Sequence, residues 1–163
     1  MRLIPVIVLG YAVVGLQAGL GGFVQLAGAA PNLVLIVVVF LSLFSSRDSA
    51  LLACFLLGLM QDLLTQQTLG LYALAYGLLA LALSAAGSVL YREHPATHAA
   101  TALVGSIFSS LILMIHGAIF GGGPTVGAAA AEALLSGLLA PVLIWLLQKL
   151  RPTLGLKVAR KWT

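Results

Sequence analysis

The sequence predicts an all-α integral membrane protein, a bundle of six transmembrane helices with both termini in the cytoplasm. Of its 163 residues, 61% are hydrophobic and 7% are charged, whereas an ordinary soluble domain is about 45–50% apolar and about 25% charged. The apolar residues fall in stretches long enough to cross a bilayer as helices. The basic residues lie only between alternate stretches. A chain of this length suits one compact bundle without a separate soluble domain.

Clusters of Gly, Pro, Ser, Asn and Gln interrupt the apolar stretches and mark the turns between helices. We predict the spans at residues 3–27, 31–45, 49–65, 69–90, 97–120 and 126–149, followed by a basic tail at 150–163. Together they form a single transmembrane domain, residues 1–163.

The N-terminus, "MRLIPVIVLGYAVVGLQAGL", has an arginine followed by an apolar run, as the start of a signal peptide does. Its apolar run is longer than that of a typical signal peptide, and no small-residue cleavage motif closes it. We therefore predict a retained first helix.

The second span begins at Pro31, and proline suits the first turn of a helix because that position needs no amide donor. The second and third spans cover only 15 and 17 residues. They are predicted either as two short crossings in a thinned or tilted region or as a re-entrant pair. Re-entry would sink Arg47 and Asp48 into the hydrocarbon core, which favours two crossings.

The later spans follow three polar or glycine-rich turns, at residues 66–68, 92–95 and 121–124. With six spans, every basic residue falls on one side of the membrane: Arg2, Arg47, Arg92, Lys149, Arg151, Lys157, Arg160 and Lys161. By the positive-inside rule this side is the cytoplasm. The basic tail is expected to lie along anionic lipid.

The residues that usually carry chemistry are absent from the sequence or scattered through it. The single cysteine, Cys54, excludes an internal disulfide and a multi-cysteine metal site. No nucleophile has a basic neighbour, and neither metal-ligand spacing nor a phosphate-binding loop is present. We predict no cofactor, no metal and no enzymatic activity. The basic residues are too few and too dispersed for a nucleic-acid partner.

Asp62, His116 and Glu132 are ionisable residues inside predicted spans, and such residues are costly enough to raise a functional hypothesis. Asp62, His116 and Glu132 all lie near the outer end of their spans. One hypothesis is that they form a polar cluster, either a ligand pocket or a proton site. The alternative is structural: Asp62 caps the outer loop with Gln66 and Thr68, Glu132 complements a helix dipole, and His116 is a packed, hydrogen-bonded side chain.

Small residues recur at helical spacing and let membrane helices approach each other closely. Gly15 and Gly19 have this spacing in the first span, and Gly117 and Gly121 have it in the fifth. We predict that Gly15 and Gly19 contribute to a partner-binding face.

The chain resembles the MreD family of the bacterial rod-shape machinery over its full length. The resemblance lies in the proline-led second helix, "PNLVLIVVVF", and in the pattern "FLLGLMQDLLTQQTLGLYALAYGLLA". The matching positions are Pro31, Phe55, Gly58, Leu59, Asp62, Gly70, Ala73, Leu74 and Tyr76. One departure is Asn32, where the family commonly has aspartate, and Asn can still cap a helix.

The resemblance implies a non-enzymatic scaffold of cell elongation in the bacterial cytoplasmic (inner) membrane. Its implied partner is MreC, a bitopic membrane protein, and through it MreB filaments and peptidoglycan synthases. The six-helix layout is also similar to the S components of energy-coupling-factor transporters. This second likeness leaves an alternative open, in which the chain binds a small solute for uptake.

Overall fold

The computed structural model describes residues 3–20, 29–65, 68–86, 94–150 and 152. These residues form six helices: α1 (Leu3–Leu20), α2 (Leu33–Phe44), α3 (Arg47–Thr65), α4 (Leu71–Ala86), α5 (Pro95–Phe120) and α6 (Val126–Leu150). The all-α class is thereby confirmed. By length and apolar composition α3, α5 and α6 can cross a membrane, while the other three are shorter apolar helices.

The helix ends lie close to the predicted ones. α2 begins two residues later than predicted, and α3 and α5 each begin two residues earlier. The predicted ends of the first and fourth spans, the first half of the turn at 92–95 and almost all of the basic tail lie outside the described residues.

Helix α2 is the centre of the bundle. All twelve of its residues are buried, and it packs against each of the other five helices. Its sequence, "LVLIVVVFLSLF", is apolar on every side, as a helix surrounded by protein requires. At about 1.5 Å per residue α2 is only about 18 Å long, so its ends lie within the depth that the longer helices cover.

Two helical hairpins, α3–α4 and α5–α6, form most of the covering layer around α2. The α3–α4 pair is closest at Gly58, where a methyl group would overlap the backbone of Ala73 and lie 2.6 Å from the carbonyl oxygen of Tyr72. A side chain of any size at position 58 would therefore push the two helices apart. Glycine here is a packing requirement.

Helix α1 lies at the edge of the bundle and contacts only α2 and α3 among the described helices. Its inner face includes Gly10, where a methyl group would come within 2.6 Å of Leu57. On the opposite face Gly15 and Gly19 have open space beside them. The α5–α6 turn is built differently: Gly121, Gly122 and Gly123 all have positive φ, a conformation that favours glycine.

Candidate functional site

Asp62 binds the first amides of a neighbouring helix. Its Oδ1 accepts a hydrogen bond from the amide of Tyr72 at 2.8 Å. Its Oδ2 accepts from the amides of Gly70 at 2.9 Å and Ala73 at 3.3 Å. The side chain is 1% exposed. We call this arrangement the Asp62 cap.

The Asp62 cap completes the hydrogen bonding of the first amides of α4. The first amides of a helix have no partner within it, and Gly70, which precedes α4, has no side chain with which to cap them. The amide of Leu71 donates to the carbonyl of Thr68, and Leu74 makes the first regular bond, to Gly70. Asp62 takes the remaining three. Because a helix N-terminus carries partial positive charge, an anionic acceptor suits this position.

A second polar group surrounds the start of α2. Asn32 donates from Nδ2 to Tyr76 Oη at 3.0 Å and to Glu132 Oε1 at 3.0 Å. Its backbone amide donates to Ser136 Oγ at 2.9 Å, and Ser106 Oγ lies 3.5 Å from Glu132 Oε1. We call these five residues the Asn32 junction, since they join α2, α4, α5 and α6. All are buried except Glu132, which is half-buried.

Asn32 also acts as the N-cap of α2. Its Oδ1 accepts from the amide of Leu35 at 2.9 Å, as a capping side chain does. The same side chain donates to the Glu132 carboxyl group, which an ionised aspartate could not do because a carboxylate has no proton to give. An amide side chain at position 32 therefore matches the carboxyl group of Glu132, because it can donate a hydrogen bond to it.

Two members of the Asn32 junction, Tyr76 and Glu132, lie at similar distances from the starts of their helices. Tyr76 is five residues beyond the start of α4, and Glu132 is six residues beyond the start of α6. At 1.5 Å per residue both lie roughly 8–9 Å from those helix ends. The chain enters α2 through the non-helical residues 29–32, of which Ala29, Pro31 and Asn32 are buried and Ala30 is partly buried. Such backbone is tolerated at membrane depth where protein surrounds it.

Sequence reasoning missed one participant, Gln17. Its Oε1 accepts from the amide of Val34 at 3.2 Å, so α1 also serves the first turn of α2. The available signal was a lone glutamine in an otherwise apolar helix, since a polar side chain in such a helix usually hydrogen-bonds across a contact.

The three residues of the predicted polar cluster have different contact partners. Glu132 joins the Asn32 junction, Asp62 binds the start of α4, and His116 lies apart with its ring 4.7 Å from that of Phe120. The bonds of Asp62 go to backbone amides; Thr68 contributes its carbonyl to the same turn, and the predicted partner Gln66 lies outside the described residues.

The other predicted site residues divide between core and surface. Pro31 is buried beside the junction and Leu59 is partly buried, whereas Phe55 is 46% exposed on the outside of α3. Gly70 has φ of 97° in the turn before α4. Within the described part of the chain, no group of three or more His, Cys, Asp or Glu side chains could hold a metal.

An apolar groove of about 400 Å³ lies between α5 and α6. Ten residues line it: Leu103, Ile107, Ser110, Leu111, Met114, Val126, Ala129, Ala130, Ala133 and Leu134. Ser110 is the one polar side chain among them. The groove therefore offers shape for an apolar group and little means to orient a polar ligand.

Comparison with known proteins decides the family. Residues 2–150 match the family model described as rod shape-determining protein MreD. The chain belongs to the MreD family. No curated protein and no solved structure matches it significantly. Membership assigns this family member a role in rod-shape determination, and its apolar helices agree with a membrane protein.

Proposed function

We propose that the chain is a non-enzymatic scaffold of the cell-elongation machinery in the bacterial cytoplasmic membrane. It binds a bitopic MreC-like protein in the membrane and through it is linked to MreB and peptidoglycan synthases. The observation that carries this proposal is that the polar side chains at the starts of α2 and α4 are hydrogen-bonded within the chain itself. The surface left for recognition is therefore the outside of the bundle.

The start of α2 supports a scaffold over a solute-binding protein. In transporters, helix N-termini inside the membrane point at substrate groups. Here the corresponding amides are bonded to Gln17, Asn32 and Ser136 of the chain itself. A solute at this position would have to displace three hydrogen bonds.

The outer face of α1 is the partner-binding face that we propose. A methyl group at Gly15 or Gly19 would meet nothing within 4 Å, so a partner helix can approach the backbone closely there. The neighbouring side chains on this helix, including Tyr11 and Leu16, are also exposed.

Capture of partners from gently solubilised membranes tests the proposal. The tagged protein should retain a single-span membrane protein with an extracytoplasmic domain, and Gly15→Leu or Gly19→Leu should weaken that capture while leaving folded yield unchanged. Gly10→Leu is the contrasting variant, because it collides with Leu57 and should lower folded yield. Capture of a tightly held small molecule in place of a protein would favour the solute-binding alternative.

The topology that we propose has six spans and cytoplasmic termini. Cysteine at Arg92 or Lys157 should resist a membrane-impermeant thiol reagent in intact cells, and cysteine at Thr125 should react. Cys54 is fully buried and can be replaced first to give a clean background. Labelling at Lys157 from outside would contradict the six-span arrangement.

A further inference from the structure

The C-terminal end of α6 carries an exposed aromatic–cation pair. The Nζ atom of Lys149 lies 3.8 Å from the centroid of the Trp145 ring. The two residues are four apart and so share a helix face. Trp145 is 56% exposed and Lys149 is exposed as well. The ring quadrupole attracts the ammonium group, which holds the positive charge beside the indole.

The position of this pair along α6 corresponds to a membrane boundary. Trp145 follows Val126, the first residue of α6, by 19 residues, which is about 28 Å along a helix. The hydrocarbon core of a bilayer is about 30 Å thick. With the start of α6 at one boundary, Trp145 lies at the other, where tryptophan is enriched. Lys149 is then one turn further out, at the level of the lipid headgroups.

The residues around the pair favour an anionic partner. Val142 and Leu146 flank Trp145 with exposed apolar surface that suits acyl chains. No Asp or Glu follows Glu132 in the sequence, whereas Arg151 comes two residues after Lys149. We propose that Trp145 and Lys149 form a contact site for the headgroup of an anionic phospholipid. Trp145 fixes its depth and Lys149 supplies the complementary charge.

Tryptophan quenching tests this site. Trp162→Phe leaves Trp145 as the only tryptophan, and this parent protein is placed in zwitterionic nanodiscs with a small fraction of lipid brominated near the headgroup. The brominated lipid is either phosphatidylglycerol or phosphatidylcholine. A basic residue near an anionic surface contributes about 1 kcal/mol, or about fivefold in local concentration. The anionic quencher should therefore act at about one fifth of the mole fraction that the zwitterionic quencher needs.

Lys149→Gln in the same background should make the two quenchers equal. Arg47→Gln is the matched control, because Arg47 is exposed at the start of α3 and its loss should leave the preference intact. Size-exclusion chromatography verifies that each variant is folded. Equal quenching in the parent overturns the proposal. A preference that survives Lys149→Gln also overturns it, because the charge would then come from the basic tail.

Discussion

Helices α2 and α4 both have first amides that are bonded to side chains, and the chain satisfies these amides in different ways. At α4 a charged carboxylate from another helix accepts three amides. At α2 a neutral amide side chain caps its own helix, and a glutamine from α1 assists. At both helix starts a similar number of amides needs a partner outside the helix. The difference therefore lies in what else each capping side chain must do.

Asp62 only accepts hydrogen bonds, and its recorded partners are backbone amides. Asn32 must accept from Leu35 and donate to Glu132 with the same side chain. A carboxylate can only accept hydrogen bonds, whereas an amide side chain can both accept and donate them. The comparison shows that a buried carboxylate can have a structural role. Whether a charged side chain is tolerated depends on the hydrogen bonds that its neighbours require.

The largest expected effect comes from removing the Asp62 cap. Asp62→Leu leaves three amides unpaired, two of them buried, at about 1–3 kcal/mol for each buried group, so folded yield should fall severely. Asp62→Asn keeps one acceptor oxygen, which can still serve the two amides now bound to Oδ2, and should retain most of the folded yield and partner capture. Folded yield by size-exclusion chromatography and partner capture are measured together.

The matched control for the cap is Asp48→Leu, which removes an exposed carboxylate from the other end of α3 and should be nearly neutral. If Asp62→Asn and Asp62→Leu are both normally folded and equally inactive, the carboxylate acts in chemistry and the architectural role is wrong.

The close approach of α3 and α4 gives the next effect. Gly58→Ala places a methyl group into the backbone of α4 and should cost about 1–3 kcal/mol, as overpacking does. Gly77→Ala is its control on α4, where a methyl group meets nothing within 4 Å. Because glycine in the middle of a helix is destabilising relative to alanine, Gly77→Ala should leave stability unchanged or raise it slightly. Thermal stability in detergent compares the two, and equal melting temperatures would contradict the packing role of Gly58.

The smallest effect concerns charge at the Asn32 junction. Asn32→Asp places a carboxylate next to Glu132 and removes the proton that joins them, so stability should fall by about 1–2 kcal/mol. Glu132→Gln alone should be mild, because its amide oxygen still accepts from Asn32 and Ser106. Combined with Asn32→Asp it should restore stability, since Gln can donate to the new carboxylate.

A double-mutant cycle of thermal stability measures the coupling between positions 32 and 132. Additive losses would show that Glu132 has no part in the preference for an amide at position 32.

The sequence predicted the helices well and the contacts of the polar residues poorly. Turn residues mark helix ends reliably, and Asp62 was recognisable as a buried polar residue. Its partners are backbone amides, which have no side-chain signature. Asn32 and Glu132 are 100 residues apart, a separation that local spacing cannot bridge. The central position of α2 was hidden because lipid and protein interior are both apolar, so periodicity does not separate a lipid-facing helix from an enclosed one.

The enclosed position of α2 has a consequence for the order in which the protein is made. Synthesis proceeds from the N-terminus, so α2 is made before four of the five helices that cover it. Lipid can surround its apolar sides during this time. Asn32, however, meets Ser136 and Glu132 only after α6 has been made. The hydrogen bonds at the start of α2 are therefore complete only when α6 is in place. A chain truncated before α6 would keep unpaired polar groups there, and a membrane quality-control protease can recognise such groups.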